Sequence, residues 1–375
     1  MNTTPEELLD RARRRTGLSD FGPDGWQDGF EHLVAAIPVD LGDDPAAAAL
    51  IETIVVDRLV NRLRVEGWYA EHADEAAAHE VEGPLVIIGT GRSGTTATHY
   101  LLAIDPQFRY ARKWELIDPV PPPELASEHD DPRRPQASVD QNVQHIATVD
   151  GPAEDRRIHE LSFHESPNVL GVPTYAKYWR TADHTSAFPY HERILRLLHS
   201  RRPPYRWLLK SPESMYTLGA FASHYPNARF VMTHRDPEKV IPSACSVIAE
   251  HTRMRLPEWT ADREFGRQTL EHLLGGVRRA MADRAVLGED RFFDVGQPEL
   301  QTDPMGAVER IYEFAGLRLD DDVRAAMIAW TAQNTAGSRG EHRYTAEEFG
   351  LTTEEIRAGF AEYLDRFGGF CKTSG

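Results

Sequence analysis

The sequence predicts an α/β fold: a doubly wound, P-loop-like parallel sheet flanked by helices, with helical extensions at both ends. Two observations predict it. Short apolar runs alternate with helical patterns through the middle of the chain, which favours strand–helix–strand units and a parallel sheet. Polar residues suited to binding follow the carboxyl ends of several of these runs, and that is the edge where open α/β sheets bind ligands.

Residues 1–80 are predicted to form a helical arm. The segment Thr4–Glu7 is a capping box with proline at the first helical position, and it opens a helix that runs to about Arg15. A second helix is predicted over 26–37, and a long amphipathic helix starts at Asp44. Such an arm could cap the core, mediate a homodimer or cover a pocket, and a packing layer is the plainest interpretation.

Residues 81–375 are predicted to form one domain. It contains a surface excursion over 120–200 and ends in a loop and helix over 337–375. The apolar runs predict strands over 85–88, 108–115, 206–210, 228–233 and, at one edge, 291–295. Helical patterns predict helices over 95–102, from 138, through 218–221, and over 240–250, 264–285, 303–315 and 353–367.

Composition and charge exclude several classes of protein. The 375-residue chain has a net charge of −17, which argues against a general nucleic-acid binder. It has no run of about 18 apolar residues, and its N-terminus lacks the basic start and apolar core of a signal peptide. Two cysteines, Cys245 and Cys371, make neither a disulfide framework nor a metal site. A cytoplasmic enzyme without nucleic-acid partners or a membrane span is therefore expected.

The stretch Gly89–Thr96 has the pattern of a phosphate-binding loop, with an apolar strand before it, a glycine-rich turn and a helix start. The N–H groups of such a turn and the helix dipole converge on one point, where an anionic phosphate binds. The spacing nearly matches a Walker A motif, but Thr95 stands where that motif has lysine, and Arg92 lies two residues before the second glycine. The loop is therefore altered in the part that handles a magnesium nucleoside triphosphate.

A second anion site is predicted where the strand over 228–233 ends. Arg235 leaves the strand end, and Ser243 lies eight residues later, two turns into the following helix. An arginine fork beside a hydroxyl suits a phosphate group. The motif is weak alone, because Arg-Asp-Pro commonly opens a helix. Together with the altered loop, it suggests a nucleotide with phosphates at both ends of its ribose.

In these motifs the chain resembles the sulfotransferase superfamily, in particular the bacterial branch that is similar to tyrosylprotein sulfotransferases. Gly91–Thr96 resembles the family's 5′-phosphosulfate loop, and Thr233–Pro237 with Ser243 resembles its 3′-phosphate site. The likeness extends over about 85–315. Two further segments resemble family landmarks: Trp114–Pro121 and Trp207–Pro212.

The resemblance implies 3′-phosphoadenosine 5′-phosphosulfate as the sulfuryl donor. Sulfuryl transfer resembles phosphoryl transfer in its loose, in-line transition state, so positioning and charge stabilisation supply most of the catalysis. A fixed cation and loop N–H groups could replace magnesium, so no metal is expected. Arg343 could reach the 3′-phosphate and Tyr344 could pack on the donor, although an ordinary surface loop explains both as well. The resemblance also implies that Arg92 contacts the transferring group and that Lys210 contacts the leaving phosphate. It implies that Arg235 and Ser243 bind the 3′-phosphate. The residues that it implies for the 5′-phosphate are Gly91, Ser93, Gly94, Thr95 and Thr96.

The acceptor hydroxyl needs a general base, and Glu115 is the first candidate. It lies at the end of the strand predicted to follow the loop, and in the tyrosylprotein branch a glutamate at similar spacing is the base. The alternative is that Glu115 only caps the proline-rich loop after it. Histidine is the base in the cytosolic branch, so His99, His159 and His164 are further candidates, of which His99 is expected to be buried.

The chain departs from the family pattern at Ser214, where close relatives usually carry histidine in a Lys-Ser-Pro-x-His run. Either that histidine is dispensable or the catalytic arrangement differs. A non-catalytic nucleotide-binding scaffold is therefore kept as one alternative. A P-loop kinase or NTPase is another, although the missing Walker lysine and the lack of an evident magnesium carboxylate argue against it.

A sulfotransferase acting on a small-molecule hydroxyl is the expected function, with 81–375 as its catalytic domain and 120–200 on the acceptor side. Acidic residues such as Asp294 are expected to be helix caps or solvated, and no cluster has the spacing of a zinc or iron site. Aromatic residues of the excursion suggest a lipid, steroid or phenolic acceptor, although they could equally be core: Phe163, Tyr175, Tyr178, Trp179, Phe188 and Tyr190.

Overall fold

The structure is a computed structural model that describes residues 3–78, 80–134, 148–164, 171–202, 205–255, 258–334 and 344–372. The chain forms two compact units. The first unit comprises Met1–Glu82, Ala111–Ser138 and Val149–Tyr205, and the second comprises Gly83–Tyr110, Val139–Thr148 and Arg206–Gly375.

Helices make up most of the described chain. In chain order they are α1 (Pro5–Thr16), α2 (Gln27–Leu41), α3 (Pro45–Ala77), α4 (Thr95–Leu102), α5 (Lys113–Ile117), α6 (Arg156–Glu160), α7 (Pro173–Trp179), α8 (Phe188–His199), α9 (Ser214–His224), α10 (Pro237–Arg255), α11 (Arg263–Leu287), α12 (Gln297–Thr302), α13 (Pro304–Ala315), α14 (Asp321–Gln333), α15 (Thr353–Gly359) and α16 (Ala361–Phe367).

The second unit is built on a parallel sheet. Its described strands are β1 (Leu85–Gly89), β2 (Phe108–Arg109), β3 (Arg206–Lys210), β4 (Arg229–His234) and β5 (Phe292–Gly296). They pair in the order β2-β3-β1-β4-β5, and every pairing is parallel. The predicted α/β fold with a parallel sheet is confirmed, and the strand predicted for one edge is β5.

The core of the second unit explains the continuous apolar runs within its strands. All five residues of β1 are buried, since the strand lies in the middle of the sheet. Its Leu85 and Ile87 belong to one buried cluster with Leu208 of β3 and Val231 of β4, and α13 covers that cluster with residues such as Ile311. Strands of a parallel sheet are covered on both faces, and they therefore read as continuous hydrophobic runs rather than as alternating patterns.

The first unit joins the N-terminal helices to the excursion. Helix α3 packs on α1, α2 and α8, and α2 packs on α7. Arg62 of α3, which is 1% exposed, fastens this arrangement. Its guanidinium donates to the carbonyls of Phe21 at 2.9 Å, Pro23 at 3.1 Å and Leu161 at 2.8 Å, and its Cζ lies 3.7 Å from the ring centroid of Tyr190. One buried cation thus binds three carbonyls in two separate segments of backbone, 21–23 and Leu161.

Some predicted elements differ from the structure. The strand predicted over 108–115 is wrong beyond Arg109, because 113–117 forms the helix α5. The predicted last helix is two helices that meet at Phe360. Helix α14 was not predicted; Asp320 is its N-cap, and Asp321 and Asp322 lie in its first turn. The helix predicted from Ser138 lies outside the described residues.

Membrane-spanning helices are absent from the described ranges. None of those helices has an 18-residue window apolar enough to cross a bilayer.

Replacing Arg62 by alanine should destabilise the first unit severely. The change leaves three carbonyls without their donor, and a buried polar group left unsatisfied costs about 1–3 kcal/mol. We expect a loss of about 3 kcal/mol or more in the free energy of unfolding, measured by urea denaturation. Arg64→Ala, two residues along the same helix, is the control, because Arg64 is half exposed and contacts only Asp118 at 3.3 Å among the described carboxylates. Equal losses in the two variants would contradict the role of Arg62.

Candidate active site

The glycine-rich turn after β1 is shaped by three residues with positive φ. Gly89 has a φ of +147°, Arg92 of +73° and Gly94 of +99°. The hydroxyl of Ser93 donates to the carbonyl of Thr90 and lies 2.7 Å from the hydroxyl of Thr233, the second-to-last residue of β4. The turn is therefore fixed to the neighbouring strand, and it delivers the chain into α4, whose N-terminal N–H groups have no side-chain cap.

Arg92 and Arg235 come together with the predicted phosphate-binding hydroxyl. Arg235 Nη1 donates to the carbonyl of Arg92 at 2.8 Å, and Arg92 Nε donates to Ser243 Oγ at 3.0 Å. The hydroxyl of Tyr344 donates to the same Ser243 oxygen at 2.6 Å. The structure therefore unites four of the predicted site residues, and it places the Arg92 guanidinium beside Ser243.

The electrostatics of this cluster favour an anion. Neither Arg92 nor Arg235 forms an ion pair with a carboxylate among the described residues, and both are partly buried. Burial lowers the pKa of each guanidinium, and the charge of Arg235 lowers the pKa of Arg92 further. Two cations held together without a neutralising partner are stabilised when an anion binds between their N–H groups.

Lys210 contacts the start of the helix α4, which follows the glycine-rich turn. It ends β3, it is 3% exposed, and its Nζ donates to Thr96 Oγ1 at 3.3 Å. Because β3 pairs with β1 in parallel, the ends of the two strands lie at one edge of the sheet. The predicted Lys210 and the predicted 5′-phosphate residues are therefore neighbours.

Glu115 belongs to the first unit and caps α5. Its side chain is fully buried, with Oε2 accepting from the backbone N–H of Arg112 at 2.7 Å and Oε1 from the guanidinium of Arg112 at 2.7 Å. The same guanidinium pairs with Glu128 at 2.7 Å. Glu115 therefore caps the helix α5, which precedes the proline-rich loop, and not the loop itself. The catalytic role of Glu115 stays a prediction.

Comparison with known proteins decides the family. The sequence profile described as "Sulfotransferase family" matches residues 84–321, which is well over half of the chain. The chain belongs to the sulfotransferase family. The protein is therefore a sulfotransferase enzyme, and the kinase and scaffold alternatives are rejected.

Solved structures and a curated relative agree with this assignment. The sulfotransferase is similar to STF9 from Mycobacterium avium, with 29% identity and a TM-score of 0.88 over 100% of this chain and 98% of that one. It is also similar to STF1 from Mycobacterium tuberculosis H37Rv, with 27% identity and a TM-score of 0.82 over 96% and 99%. A curated protein of Mycobacterium bovis, named omega-hydroxy-beta-dihydromenaquinone-9 sulfotransferase Stf3, is 22% identical over 76% of this chain and 75% of its own.

The predicted histidine candidates fall in different places. His99 is buried within α4 of the second unit, as expected. His164 is buried in the first unit with its Nδ1 atom 3.2 Å from Nδ1 of His184, and burial lowers its pKa. His159 is half-buried, and burial followed by the nearby His191 lowers its pKa well below the usual range. Neutral imidazoles are therefore favoured at both positions.

Sequence reasoning missed the network that supports Arg235. The preceding residue, His234, places Nε2 2.8 Å from Asp294 Oδ1 and Nδ1 3.0 Å from the hydroxyl of Tyr363. Arg284 donates to both oxygens of Asp294, at 2.6 and 2.7 Å. Although burial opposes it, hydrogen bonds from Arg284 and His234 lower the pKa of Asp294 to about 2. Asp294 is therefore a half-buried ion-pair partner, and the expectation of a solvated cap is wrong.

Two other predicted positions add little. Ser214 is buried at the start of α9, and the structure offers no explanation for the absence of histidine there. Arg343 lies outside the described residues.

A side chain at Gly89 should disrupt the turn of the sulfotransferase, whereas one at Gly91 should not. A Cβ atom on Gly89 would lie 2.5 Å from Thr233 Oγ1, 2.7 Å from the Thr233 carbonyl and 2.9 Å from Ser93 Oγ, and the positive φ adds strain. A Cβ on Gly91 would meet nothing within 4 Å. We expect Gly89→Ala to lower the free energy of unfolding by about 2 kcal/mol or more and Gly91→Ala by less than about 1 kcal/mol, measured by urea denaturation. Similar losses in both would contradict the close approach at Gly89.

Proposed function

We propose that this sulfotransferase transfers a sulfuryl group from 3′-phosphoadenosine 5′-phosphosulfate to a hydroxyl group of a small-molecule acceptor. The observation that supports this donor most is the cationic cluster of Arg92 and Arg235 at Ser243, beside a glycine-rich turn that opens a helix. Such a cluster and such a turn give two adjacent anion sites. A donor with phosphates at both ends of its ribose occupies both.

The proposed donor contacts follow from this arrangement. Arg235 and Ser243 bind the 3′-phosphate, with Arg343 and Tyr344 as further donor contacts. Ser93 is fully buried, and both its hydroxyl and its backbone N–H donate to the carbonyl of Thr90. It must therefore release one of these bonds to contact the 5′-phosphate. The remaining 5′-phosphate contacts are Gly91, Gly94, Thr95 and Thr96.

Arg92 and Lys210 supply the charge stabilisation. Because the Arg92 guanidinium lies on Ser243 in this structure, it must turn away from that hydroxyl to reach the transferring group. Lys210 already contacts Thr96, so its ammonium stabilises the charge that develops on the leaving phosphate. The transition state is loose and in line, and these two fixed cations take the place of a metal ion in the transfer.

The acceptor is a hydroxylated small molecule of lipid, steroid or phenolic character. The name of the curated relative, an omega-hydroxy-beta-dihydromenaquinone-9 sulfotransferase, supports a lipid alcohol. The aromatic residues of the excursion do not add to that support, because most of them form the core of the first unit. Those that are buried there are Phe163, Tyr175, Trp179, Phe188 and Tyr190.

Glu115 is the proposed general base. Its carboxylate accepts two hydrogen bonds from Arg112, which fix the position of both oxygens. A hydroxyl of the acceptor could therefore donate to an oxygen whose position is already set. A histidine remains the alternative base.

The donor proposal predicts a clear order of ligand affinities. Adenosine 3′,5′-bisphosphate, the desulfated donor, should bind more tightly than ADP by isothermal titration calorimetry, with or without magnesium. Arg235→Ala should weaken the binding of the bisphosphate by about 30-fold, because a hydrogen bond to a charged group contributes about 2 kcal/mol. Its affinity for ADP, which lacks the 3′-phosphate, should change little.

Arg253→Ala is the control for this titration, because Arg253 is an exposed arginine on the helix that carries Ser243. It should bind the bisphosphate as the wild type does. Tighter binding of ADP that depends on magnesium would overturn the donor, and an unchanged affinity in Arg235→Ala would overturn the 3′-phosphate site.

Removing the base should slow transfer and leave donor binding intact. With radiolabelled donor and an acceptor found by screening hydroxylated lipids, steroids and phenols, Glu115→Gln should lower turnover by about 100-fold or more. The dissociation constant of adenosine 3′,5′-bisphosphate should stay as in the wild type, because glutamine keeps an acceptor for the Arg112 N–H.

Glu128→Gln is the matched control for this change, since it removes the other carboxylate bonded to the Arg112 guanidinium. An equal fall in both variants would show that Glu115 acts only by holding Arg112. Turnover close to the wild type in Glu115→Gln would move the base to a histidine.

A further inference from the structure

Three potential metal ligands meet inside the first unit, and one of them is the base candidate His159. Asp155 immediately precedes α6, His159 lies one helical turn later in α6, and His191 belongs to α8. Residues four apart lie on the same face of a helical turn, and α6 packs on α8. The sequence does not reveal this meeting, because His191 comes from a distant helix.

The distances between these groups suit one small cation. Each residue offers a ligand atom, and the three atoms all lie within 4.8 Å of one another. His191 Nε2 is 3.5 Å from Asp155 Oδ2. The rings of His159 and His191 are stacked at 5.0 Å between centroids and 15° between planes. A tetrahedral centre with bonds of about 2.0–2.1 Å separates its ligand atoms by about 3.4 Å, so movements of about 1 Å would complete the geometry.

Asp155 is a second, independent indication. It is 1% exposed, and within the described residues neither of its carboxylate oxygens accepts a hydrogen bond. Its neighbours Glu154 and Glu160 both receive hydrogen bonds from Arg156, at 2.8 and 3.4 Å. A buried carboxylate without hydrogen bonds is costly unless a cation neutralises it. Glu154 and Glu160 are therefore stabilised by Arg156, whereas the Asp155 carboxylate would be stabilised by a bound cation.

We infer that Asp155, His159 and His191 form a binding site for a divalent transition-metal ion of the zinc type. Two imidazole nitrogens and one carboxylate oxygen are a ligand set that suits such ions, and magnesium and calcium prefer oxygen ligands alone. His159 is the least buried of the three residues. The proposed sulfuryl transfer does not use this ion.

Such an ion would stabilise a helix that is too short to be stable by itself. Helix α6 has five residues, and isolated helices of that length do not persist in water. Coordination by Asp155 and His159 on one side and by His191 on the other would tie α6 to α8. A metal that binds only the folded chain raises its stability in proportion to its affinity.

Metal titration of the full chain tests the inference. After the metal has been removed with a chelator, Zn²⁺ should rebind stoichiometrically and raise the thermal midpoint, and Co²⁺ should give visible absorption bands of a low-coordinate centre. Asp155→Asn and His159→Gln should each weaken Zn²⁺ binding by at least about 100-fold and abolish the rise of the midpoint. Asp155→Asn should leave the metal-free midpoint unchanged or higher, because it removes an unsatisfied buried charge.

His199→Gln is the matched control, since His199 is another buried histidine of α8 outside the three ligands. It should bind Zn²⁺ and Co²⁺ as the wild type does. Substoichiometric Zn²⁺ binding by the wild type would overturn the site, as would equal binding by Asp155→Asn and His199→Gln. A lower metal-free midpoint in Asp155→Asn would also overturn it, because Asp155 would then stabilise the metal-free protein through its contact with His191.

Discussion

The parallel pairing of β1 with β4 is the interaction on which the candidate donor site depends. In the register that sets Gly89 beside Thr233, the two strands end together, so the glycine-rich turn and the turn at Arg235 leave the sheet side by side. The hydroxyl contact of Ser93 with Thr233 closes that edge at 2.7 Å, and a side chain on Gly89 would occupy the same space. The meeting of Arg92 with Arg235 follows from this pairing.

Neutral oxygen atoms, rather than carboxylates, hold the two arginines. The carbonyl of Arg92 accepts from Arg235, and the hydroxyl of Ser243 accepts from Arg92. A carboxylate in either place would neutralise the cluster, whereas neutral acceptors fix its geometry and leave its positive charge to attract an anion. The carboxylate of Asp294 contacts His234, the residue before Arg235, and so stabilises the end of β4 instead.

Sequence patterns predicted those parts of the fold and site that depend on local spacing. The turn over 89–94 and the eight-residue step from Arg235 to Ser243 are of this kind, because glycine positions and the helical repeat are properties of a short segment. The strand over 108–115 was wrong because a capping bond from Arg112 to Glu115, and not hydrophobicity, starts α5 there. The bond between His234 and Asp294 joins residues far apart in the chain, and no local pattern indicates it.

The same bonds that make Glu115 a helix cap suit it to the proposed role of base. In a loose transition state the bond to the acceptor oxygen is still weak, so the acceptor hydroxyl must first be oriented and gives up its proton late. Orientation requires a fixed acceptor, and Arg112 fixes both oxygens of Glu115 at 2.7 Å. Proton uptake then requires a carboxylate, which glutamine cannot replace. Capping and catalysis are therefore compatible uses of one side chain, and the buried ion pair does not by itself argue for the purely structural role.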